Sequence, residues 1–571
     1  MTSYLITTTD RSRWPDSGHL VFLGTFCLPD DPESLLGQYT YEIADTSINS
    51  DDKLHYFQIS LSLHSTISRN LATALNKFHD VDESERFWSI ITGVWLRSFI
   101  DLVISRAVVV ARIRKQHTKI ELIASTAKKT ARAAKNYLEF HAFTKSSDWN
   151  SILISDIWTT CTTIETCTTS RSAQSFVVPA PKTSSSGTQY VLSATYLPRL
   201  KEVALTLMLG SLPRRINIVN PPSQQCDEVS RQEFDFDTKP DGDFEKALFE
   251  FIGVYIPTAF VEGFKELQHL IRLMEFPNNP KTIFTANRHL YDDVFNVWVA
   301  RATSQGSFLI LGQHGGNYGI SRYPTAGERH ELAVADKYIT WGWSSGPPTT
   351  PGVALTTIGK KHRTRSTGSK IVLVADHLWA MPRSIWSDID ESSQYLTHLT
   401  KIAQSMDAKC KDELHVRLHH SQNDTGHSLL EWWKREAPQT TVDTGDTNFN
   451  LLLQQAKLVI IAHNGTTFLE TFALGIPTLI TWKTNWTELR DHAKPFFDRF
   501  TDVGIFHEDP ESLTHHLSQI HDDIDGWWES KEVTEARQSF CQHFSRTSKR
   551  PLSLLQRIIT HQQLPINSEV S

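Results

Sequence analysis

The sequence has few cysteines and no long apolar run. Its six cysteines are scattered and include no CxxC pair, so they predict neither a zinc site nor a disulfide framework and fit a reducing compartment. A run of about 18 apolar residues, as a membrane-spanning helix needs, is absent. The opening residues MTSYLITTTDRSRW lack the apolar core of a signal peptide. We therefore expect a cytoplasmic protein.

Positive charge is also in short supply. The chain has 57 lysines and arginines against 64 aspartates and glutamates, which gives a formal net charge of −7. This balance argues against a general nucleic-acid-binding surface. At 571 residues the chain is too long for a single core, so we expect two or three domains.

One stretch, residues 456–482, predicts a strand, a loop, a helix and a second strand. Thr467 and Glu470 have the spacing of a capping box that opens the helix, and Gly475 suits the position after its end. In a parallel βαβ unit, the loop and the helix N-terminus lie at the carboxyl edge of the sheet, where anions bind. The alternative is an ordinary unit in which Thr467 and Glu470 only cap the helix. The candidate ligand-binding residues are His463, Asn464, Gly465, Thr466, Thr467 and Glu470.

A second glycine-rich loop follows the predicted strand 307–311 and reads QHGGNYG. Its glycines permit tight turns and close approach of the backbone, and His314 is expected at the carboxyl edge of the sheet. A purely structural histidine is the alternative. Downstream, Glu328 and Glu331 are further groups capable of base catalysis.

The turn-rich segment 344–369 is the best domain boundary. We predict an N-terminal domain over residues 1–355 and a C-terminal domain over residues 356–571, each with strand-end loops that carry glycine and histidine. This pattern predicts an α/β fold of the GT-B type by analogy, with two facing Rossmann-like domains and an interdomain cleft. Residues 83–110 predict additional N-terminal helices.

Several motifs resemble a bacterial transferase family of O-antigen and surface-carbohydrate biosynthesis, and more distantly the capsule transferases for Kdo. The matching segments are YLITTTDRSRW, LVFLGTFC, RFWSIITGVWL, PKTIFTAN, FLILGQHGGNYG, RHELAVADKYITWGW, LHVRLHH and HNGTTFLETFALGIPTL. The chain departs from the family at Thr25 and Phe26, where the family has a glutamate and a tryptophan. It also has HHSQ at residues 419–422 in place of a His-Asp-Tyr-Gly-like segment.

The resemblance implies a metal-independent glycosyltransferase. Its donor would be a CMP-activated ulosonic acid of the pseudaminic, legionaminic or Kdo type, and its acceptor a surface polysaccharide or a glycan that can be lipid-linked. The alternatives are a phosphotransferase that uses a CDP-polyol, a non-catalytic protein that binds sugar nucleotides, and an epimerase of UDP-sugars.

The roles that follow from this resemblance are assigned to strand-end residues. His314 would be the base, with Glu328 or Glu331 as alternatives, and the helix N-terminus after Asn464 would stabilise the departing phosphate. Arg417 would contact a phosphate or carboxylate, and Arg288 the sugar carboxylate. The remaining candidate donor contacts are Gln313, Gly315, Gly316, Tyr318 and Glu470, the last toward the ribose.

Two further patterns have weaker functional interpretations. Asp235-Phe236-Asp237 resembles the DxD motif of metal-dependent glycosyltransferases, but no other feature supports a metal, so none is expected. Arg112–Lys135 carries eight basic residues in a helix-compatible pattern. Such a run is usually a solvated face; its functional alternative is peripheral contact with the inner face of the cytoplasmic membrane.

Overall fold

The computed structural model describes most of the chain between residues 2 and 561. The exceptions are residues 30, 31, 36, 124–131, 161–188, 220, 235, 237–239, 241, 275, 364–367, 377–380, 382, 383, 385–390 and 420–428. Asp235 and Asp237 of the DxD-like motif, Lys128 and Lys129 of the basic stretch, and residues 420–422 of the HHSQ segment therefore lie outside the described residues.

Three parallel sheets are present in the described residues. The first has the order β3-β2-β1-β4, with strands β1 Ser3–Ile6, β2 Gly18–Phe22, β3 Tyr39–Ile43 and β4 Ile120–Leu122. The second runs in chain order, with strands β5 Tyr190–Leu192, β6 Thr282–Thr285, β7 Phe308–Gly312, β8 Lys337–Thr340 and β9 Thr349–Pro351. The third has the order β12-β11-β10-β13-β14-β15, with strands β10 Lys370–Val374, β11 Leu414–Arg417, β12 Thr441–Asp443, β13 Ala456–Ile461, β14 Thr478–Thr481 and β15 Phe506–His507.

Helices connect and cover these strands. Those of the N-terminal part are α1 Ser50–His79, α2 Glu85–Gln116, α3 Tyr137–Phe143, α4 Ser147–Thr160, α5 Arg199–Met208, α6 Glu228–Arg231, α7 Asp243–Tyr255, α8 Phe264–Leu273, α9 Asp293–Ser304 and α10 Ala326–Val334. Those of the C-terminal part are α11 Glu391–Ser405, α12 Ala408–Glu413, α13 Leu429–Glu436, α14 Phe449–Gln455, α15 Thr466–Ala473, α16 Lys494–Asp502, α17 Pro510–Ile520, α18 Ile524–Trp528, α19 Lys531–Phe544 and α20 Pro551–Thr560.

Helix α2 is the centre of the N-terminal part. Apolar residues recur on all its faces, so it is buried along most of its length, with Trp88, Trp95 and Phe99 almost fully inaccessible. It packs against α1, α4, α9 and α10. It therefore links α1 and α4 with α9 and α10, the helices that follow strands β6 and β7 of the second sheet.

The third sheet has the strand order of a doubly wound dinucleotide-type fold. From β10 the strands are added on one side through β11 and β12, and then on the other side through β13, β14 and β15, so the strand order reverses between β10 and β13. Ligands bind such sheets at that reversal, outside the carboxyl ends of the strands. The predicted α/β fold of the GT-B type is confirmed, since two parallel sheets present their carboxyl edges to a common cleft. The first sheet was not anticipated as a separate unit; residues 1–355 contain two sheets, and the boundary at residue 355 stays a prediction.

The basic stretch does not form the continuous helix that its pattern allows. Helix α2 ends at Gln116, and β4 follows. Arg112 pairs with Asp52, the Arg114 guanidinium lies 4.2 Å from the Trp158 ring centre, and Arg132 pairs with Asp156. These three side chains are engaged locally, and the membrane contact predicted for the stretch stays a prediction.

Candidate active site

A cavity of about 680 Å³ lies between the carboxyl edges of the second and third sheets. The loop after β7 contributes His314 and the glycines that follow it. The loops after β10 and β13 contribute Asp376, His463 and Asn464, at the chain reversal of the third sheet. Helices α2 and α3 close the third side of the cavity.

Gln313 fixes the glycine-rich loop from within. Its side-chain oxygen accepts hydrogen bonds from the Trp341 backbone N–H at 2.9 Å and the Trp343 indole N–H at 2.8 Å. Its amide nitrogen donates to the Gly315 carbonyl at 2.8 Å. The side chain is fully buried, so the expectation that Gln313 contacts the sugar is wrong. Its role is to hold the backbone that carries His314.

The same loop is joined to the C-terminal half of the chain. Ser321 and Leu489 form an antiparallel bridge, and the His492 imidazole lies 2.9 Å from the Gly319 carbonyl. The buried Glu328 carboxylate accepts from the Gly319 N–H at 3.2 Å and from the Arg490 guanidinium at 2.6 Å. Glu328 is fully buried and does not line the cavity. It therefore stabilises the junction between the halves, which corrects its prediction as a base.

Glu331 lies behind His314. One of its oxygens is 3.3 Å from Nδ1 of His314 and 3.1 Å from Nε2 of His289. Its other oxygen accepts from the Tyr338 hydroxyl at 2.9 Å. The carboxylate is fully buried, whereas the side chain of His314 is 18% exposed and lines the cavity. Glu331 is thus placed to orient His314 and not to act as the base itself, which corrects the second alternative.

Burial shifts the pKa values of Glu331, His289 and His314. It raises the pKa of Glu331 to about 7 and lowers the pKa of His289 to about 3. Burial also lowers the pKa of His314, and the nearby Glu331 carboxylate opposes this shift. His314 is therefore neutral at pH 7, as a general base must be.

The loop after β13 differs, because its polar atoms lack partners. Both side-chain atoms of Asn464 and Nδ1 of His463 are buried without a hydrogen bond. Buried polar groups are nearly always satisfied, and each one left unpaired costs about 1–3 kcal/mol. Both residues line the cavity. Together they have the properties of a binding surface that a polar ligand would complete.

The two loops touch at Gly316. A methyl group built on Gly316 would lie 2.0 Å from the Gly465 carbonyl carbon and 2.1 Å from the Thr466 nitrogen. Only glycine allows this approach. Gly316 thus covers part of the N-terminus of α15, and Gly465, Thr466 and Thr467 do not line the cavity. The anion site predicted at Gly465–Thr467 is therefore corrected to the adjacent His463 and Asn464.

Helix α15 also begins differently from the prediction. It starts at Thr466, one residue before the predicted cap, and its N-cap Gly465 makes no side-chain capping bond. Glu470 pairs with Lys360 at 3.0 Å and does not line the cavity. The predicted capping box is therefore wrong, and the ribose contact of Glu470 stays a prediction.

The two predicted anion-binding arginines are engaged in other contacts. Arg288 is 3% exposed and bonds to Asp292 at 2.7 Å, to the Ser193 hydroxyl and to the carbonyls of Ile216 and Asn217. Arg417 bonds to Asp443 at 2.7 Å and to a backbone carbonyl. Neither arginine lines the cavity. Their assigned contacts with the donor are therefore corrected.

Sequence reasoning missed several residues that line the cavity. They are Ser98, Asp101, Tyr137, His141, Asp376, Tyr395, Trp482, Trp486 and Glu488. Asp376 had a signal, because it directly follows a strand. The residues of α2 and α3 carried no such signal in the sequence, since their helical pattern predicts core packing. Thr25 and Phe26, where the chain departs from the related family, do not line the cavity.

The charge around the cavity is also distinctive. Of the described residues that line it, three are acidic, three are histidines and none is lysine or arginine.

In the described part of the chain, no group of three or more His, Cys, Asp or Glu side chains is arranged to hold a metal ion. No helix among the described residues has both the length and the apolar character needed to cross a bilayer.

Comparisons with known proteins are clear at the level of sequence family and weak at the level of structure. A family model described as "LIC12162 family transferase" matches residues 3–559. No curated protein gives a significant match.

Solved structures are similar only at a distance. MurG of Acinetobacter baumannii aligns at 10% identity and a TM-score of 0.32, over 65% of this chain and 99% of MurG. MnaA of S. aureus, in a structure with UDP, aligns at 11% identity and a TM-score of 0.33, over 62% and 94% of the two chains. Alignments this distant carry no conclusion about substrate or site.

Proposed function

Because this chain belongs to the LIC12162 family of transferases, we propose that it is a glycosyltransferase with its active site in the cavity between the second and third sheets. The donor is a CMP-activated ulosonic acid, and the acceptor is a hydroxyl group of a surface polysaccharide or lipid-linked glycan. One observation carries the proposal. His314 lies on one wall of the cavity, and the unpartnered Asn464 and His463 lie on another.

His314 acts as the general base in this proposal. The acceptor hydroxyl gives its proton to the imidazole as its oxygen attacks the anomeric carbon of the donor. Glu331, 3.3 Å from Nδ1, stabilises the imidazolium that forms. This approach falls outside hydrogen-bond geometry in the ligand-free protein; catalytic bonds of this kind often tighten only when substrate binds.

The other wall receives the leaving group. As the glycosidic C–O bond breaks, negative charge grows on the phosphate of CMP. Asn464 can donate its amide N–H to that phosphate, and the N-terminus of α15 adds the positive end of a helix dipole nearby. Removing one donor of this kind in comparable sites costs roughly 3 kcal/mol of barrier.

The donor's two anionic groups, its phosphate and its carboxylate, are of the kind that arginine or lysine commonly binds. The described lining has neither residue. With Arg288 engaged elsewhere, Asn464 and the histidines are the groups left for the donor's phosphate and carboxylate. The scheme uses no metal.

A phosphotransferase that uses a CDP-polyol is the second candidate. The observation that favours it is the pair of histidines, His314 and His463, on two loops of the same cavity, because such a pair can act as acid and base. The mass of the product separates the two reactions, since only the phosphotransferase leaves a phosphate on the acceptor.

Thermal denaturation in the presence of CMP, CDP, UDP or GDP, with EDTA in every sample, tests the proposal. A ligand that binds only the native state adds about 2.7 kcal/mol of stability at 100 times its dissociation constant. We expect CMP to raise the melting temperature most. A larger shift with UDP or GDP, or a shift that needs magnesium, would contradict the proposed donor. No shift with any nucleotide would favour a protein that does not use a nucleotide-linked donor.

A further inference from the structure

Exposed apolar side chains are concentrated in one segment. Half of the twelve large apolar side chains that are exposed in the described residues lie between residues 196 and 218: Tyr196, Leu200, Leu207, Met208, Leu212 and Ile218. Leu200 and Leu212 are 82% and 78% exposed. Exposed apolar residues that occur singly need no explanation, but a cluster of this size on one segment indicates an interaction surface.

Helix α5 shows how the segment is arranged. Leu205 is fully buried, and it packs in the apolar cluster that also holds Leu209 and the C-terminal Leu555. Leu200 and Leu207 are seven residues apart, so they share the opposite face, and both are exposed. The helix is therefore anchored through one apolar face and presents a second apolar face outward.

Basic residues occur in the same segment. Arg199, Lys201 and Arg215 are exposed. Glu202 is the single acidic residue between positions 196 and 219, and it accepts a hydrogen bond from the Thr195 hydroxyl. The segment therefore carries a local excess of positive charge on a chain whose net charge is −7. Exposed leucines with arginine and lysine around them are typical of helices that lie in the interface of an anionic membrane.

The segment is tied to the rim of the cavity. The Asn287 amide donates to the Tyr196 hydroxyl at 2.8 Å, and Arg288 donates to the carbonyls of Ile216 and Asn217, both at 2.9 Å. Leu290 and Tyr291, just after this pair, line the cavity. The buried Arg288 thus joins the cavity wall to the exposed segment through these hydrogen bonds.

We propose that residues 196–218 form a docking surface for a membrane that contains anionic lipid. The leucines enter the interface between headgroups and acyl chains, and the basic residues contact the lipid phosphates. Anionic lipid is the occupant whose charge complements the exposed Arg199, Lys201 and Arg215. The surface lies outside the cavity, so the inference does not depend on the proposed donor.

Co-sedimentation of the full chain with lipid vesicles tests the inference. One set of vesicles is pure phosphatidylcholine, and the other is phosphatidylcholine mixed with phosphatidylglycerol. We expect binding to the mixed vesicles that weakens as salt is added. The variant Leu200→Asp/Leu212→Asp should lower the partition coefficient about tenfold for each leucine replaced.

The matched control replaces two exposed leucines outside the segment, Leu273→Asp/Leu451→Asp. These side chains are 63% and 53% exposed, and the control should bind as the unchanged protein does. Melting temperatures of both variants show that they are folded. Equal binding by the two double variants, or no binding to the mixed vesicles, would overturn the inference. A dimer in sedimentation velocity that only Leu200→Asp/Leu212→Asp disrupts would overturn it in favour of self-association.

Discussion

The loops after β7 and β13 both line the cavity and touch at Gly316, yet they are stabilised in different ways. In the first loop, Gln313 uses both of its side-chain polar atoms to hold the backbone around His314. In the second, both side-chain atoms of Asn464 are buried without a partner. A loop with complete hydrogen bonding keeps one geometry, whereas a loop with unsatisfied groups gains stability when a ligand binds. The comparison assigns positioning of the base to the first loop and binding of the donor to the second.

Replacing His314 is the strongest way to break this comparison. The variant His314→Ala removes the base, so turnover should fall by about 10²–10⁴. The variant should retain its melting temperature, because the side chain is not part of a packed core. Steady-state transfer to a glycan acceptor measures the effect. Near-normal turnover in a folded variant would reject His314 as the base.

The contact between the loops provides a sharper pair of variants. In Gly316→Ala the new methyl group would meet the Gly465–Thr466 peptide at 2.0 Å, whereas in Gly315→Ala it would lie 3.8 Å from the Thr466 hydroxyl, an ordinary contact. Gly316→Ala should therefore separate the loops and lower turnover about 100-fold, the effect of a displacement of about 1 Å.

Gly315→Ala is the matched control for the contact between the loops, and its turnover should fall far less than that of Gly316→Ala. Transfer rates of the two variants, measured side by side with their melting temperatures, give the comparison. Equal rates would show that the close approach of the loops does not matter for catalysis.

Glu331→Gln should have a smaller effect, seen mainly in the pH dependence. The Glu331 carboxylate raises the pKa of His314 against the larger effect of burial. Because the pKa of Glu331 is about 7, its carboxylate charge is present mainly above that pH, so the difference between the two proteins should grow as the pH rises through 7. Turnover at pH 8 should fall about tenfold, since the imidazolium loses its counter-charge. An equal ratio of turnover at pH 6 and pH 8 would contradict the coupling.

The same variant has a predicted effect on stability. The pKa of Glu331 rises from 4.5 in the unfolded chain to about 7 in the folded protein, so the folded state holds the proton more tightly. The free energy of unfolding then falls as the pH rises through this range. Glutamine does not titrate, so Glu331→Gln does not lose stability in this way as the pH rises. The melting temperature of Glu331→Gln minus that of the unchanged protein should therefore increase from about pH 5 to about pH 8. A constant difference would contradict the raised pKa.

The sequence predicted the facing α/β units and the two loops, because strand ends, glycines and histidines are local features. It did not predict which polar side chains are already satisfied. Arg288 and Gln313 follow strands and Arg417 ends one, as ligand-binding residues do, but hydrogen-bonded partners within the fold occupy them. Two of the partners are local in sequence, Asp292 four residues after Arg288 and Gly315 two residues after Gln313.

The third wall of the cavity lay beyond sequence reasoning for another reason. Asp101 and Tyr137 reach the cavity because α2 packs against α9 and α10, and α3 packs against α2. This is a long-range arrangement that periodicity does not record, since the pattern of α2 shows only that the helix is buried. The separate first sheet was missed because its four short strands are divided by the long helices α1 and α2.

Calorimetric titration of CMP into two variants tests the central claim most directly. If the glycine-rich loop positions the base and the loop after β13 binds the donor, His314→Ala should bind CMP as the unchanged protein does. Asn464→Ala should lose at least about tenfold in affinity, equivalent to about 1.4 kcal/mol. Unchanged affinity in Asn464→Ala together with a loss in His314→Ala would contradict the account, because the donor would then bind to the wall assigned to the base.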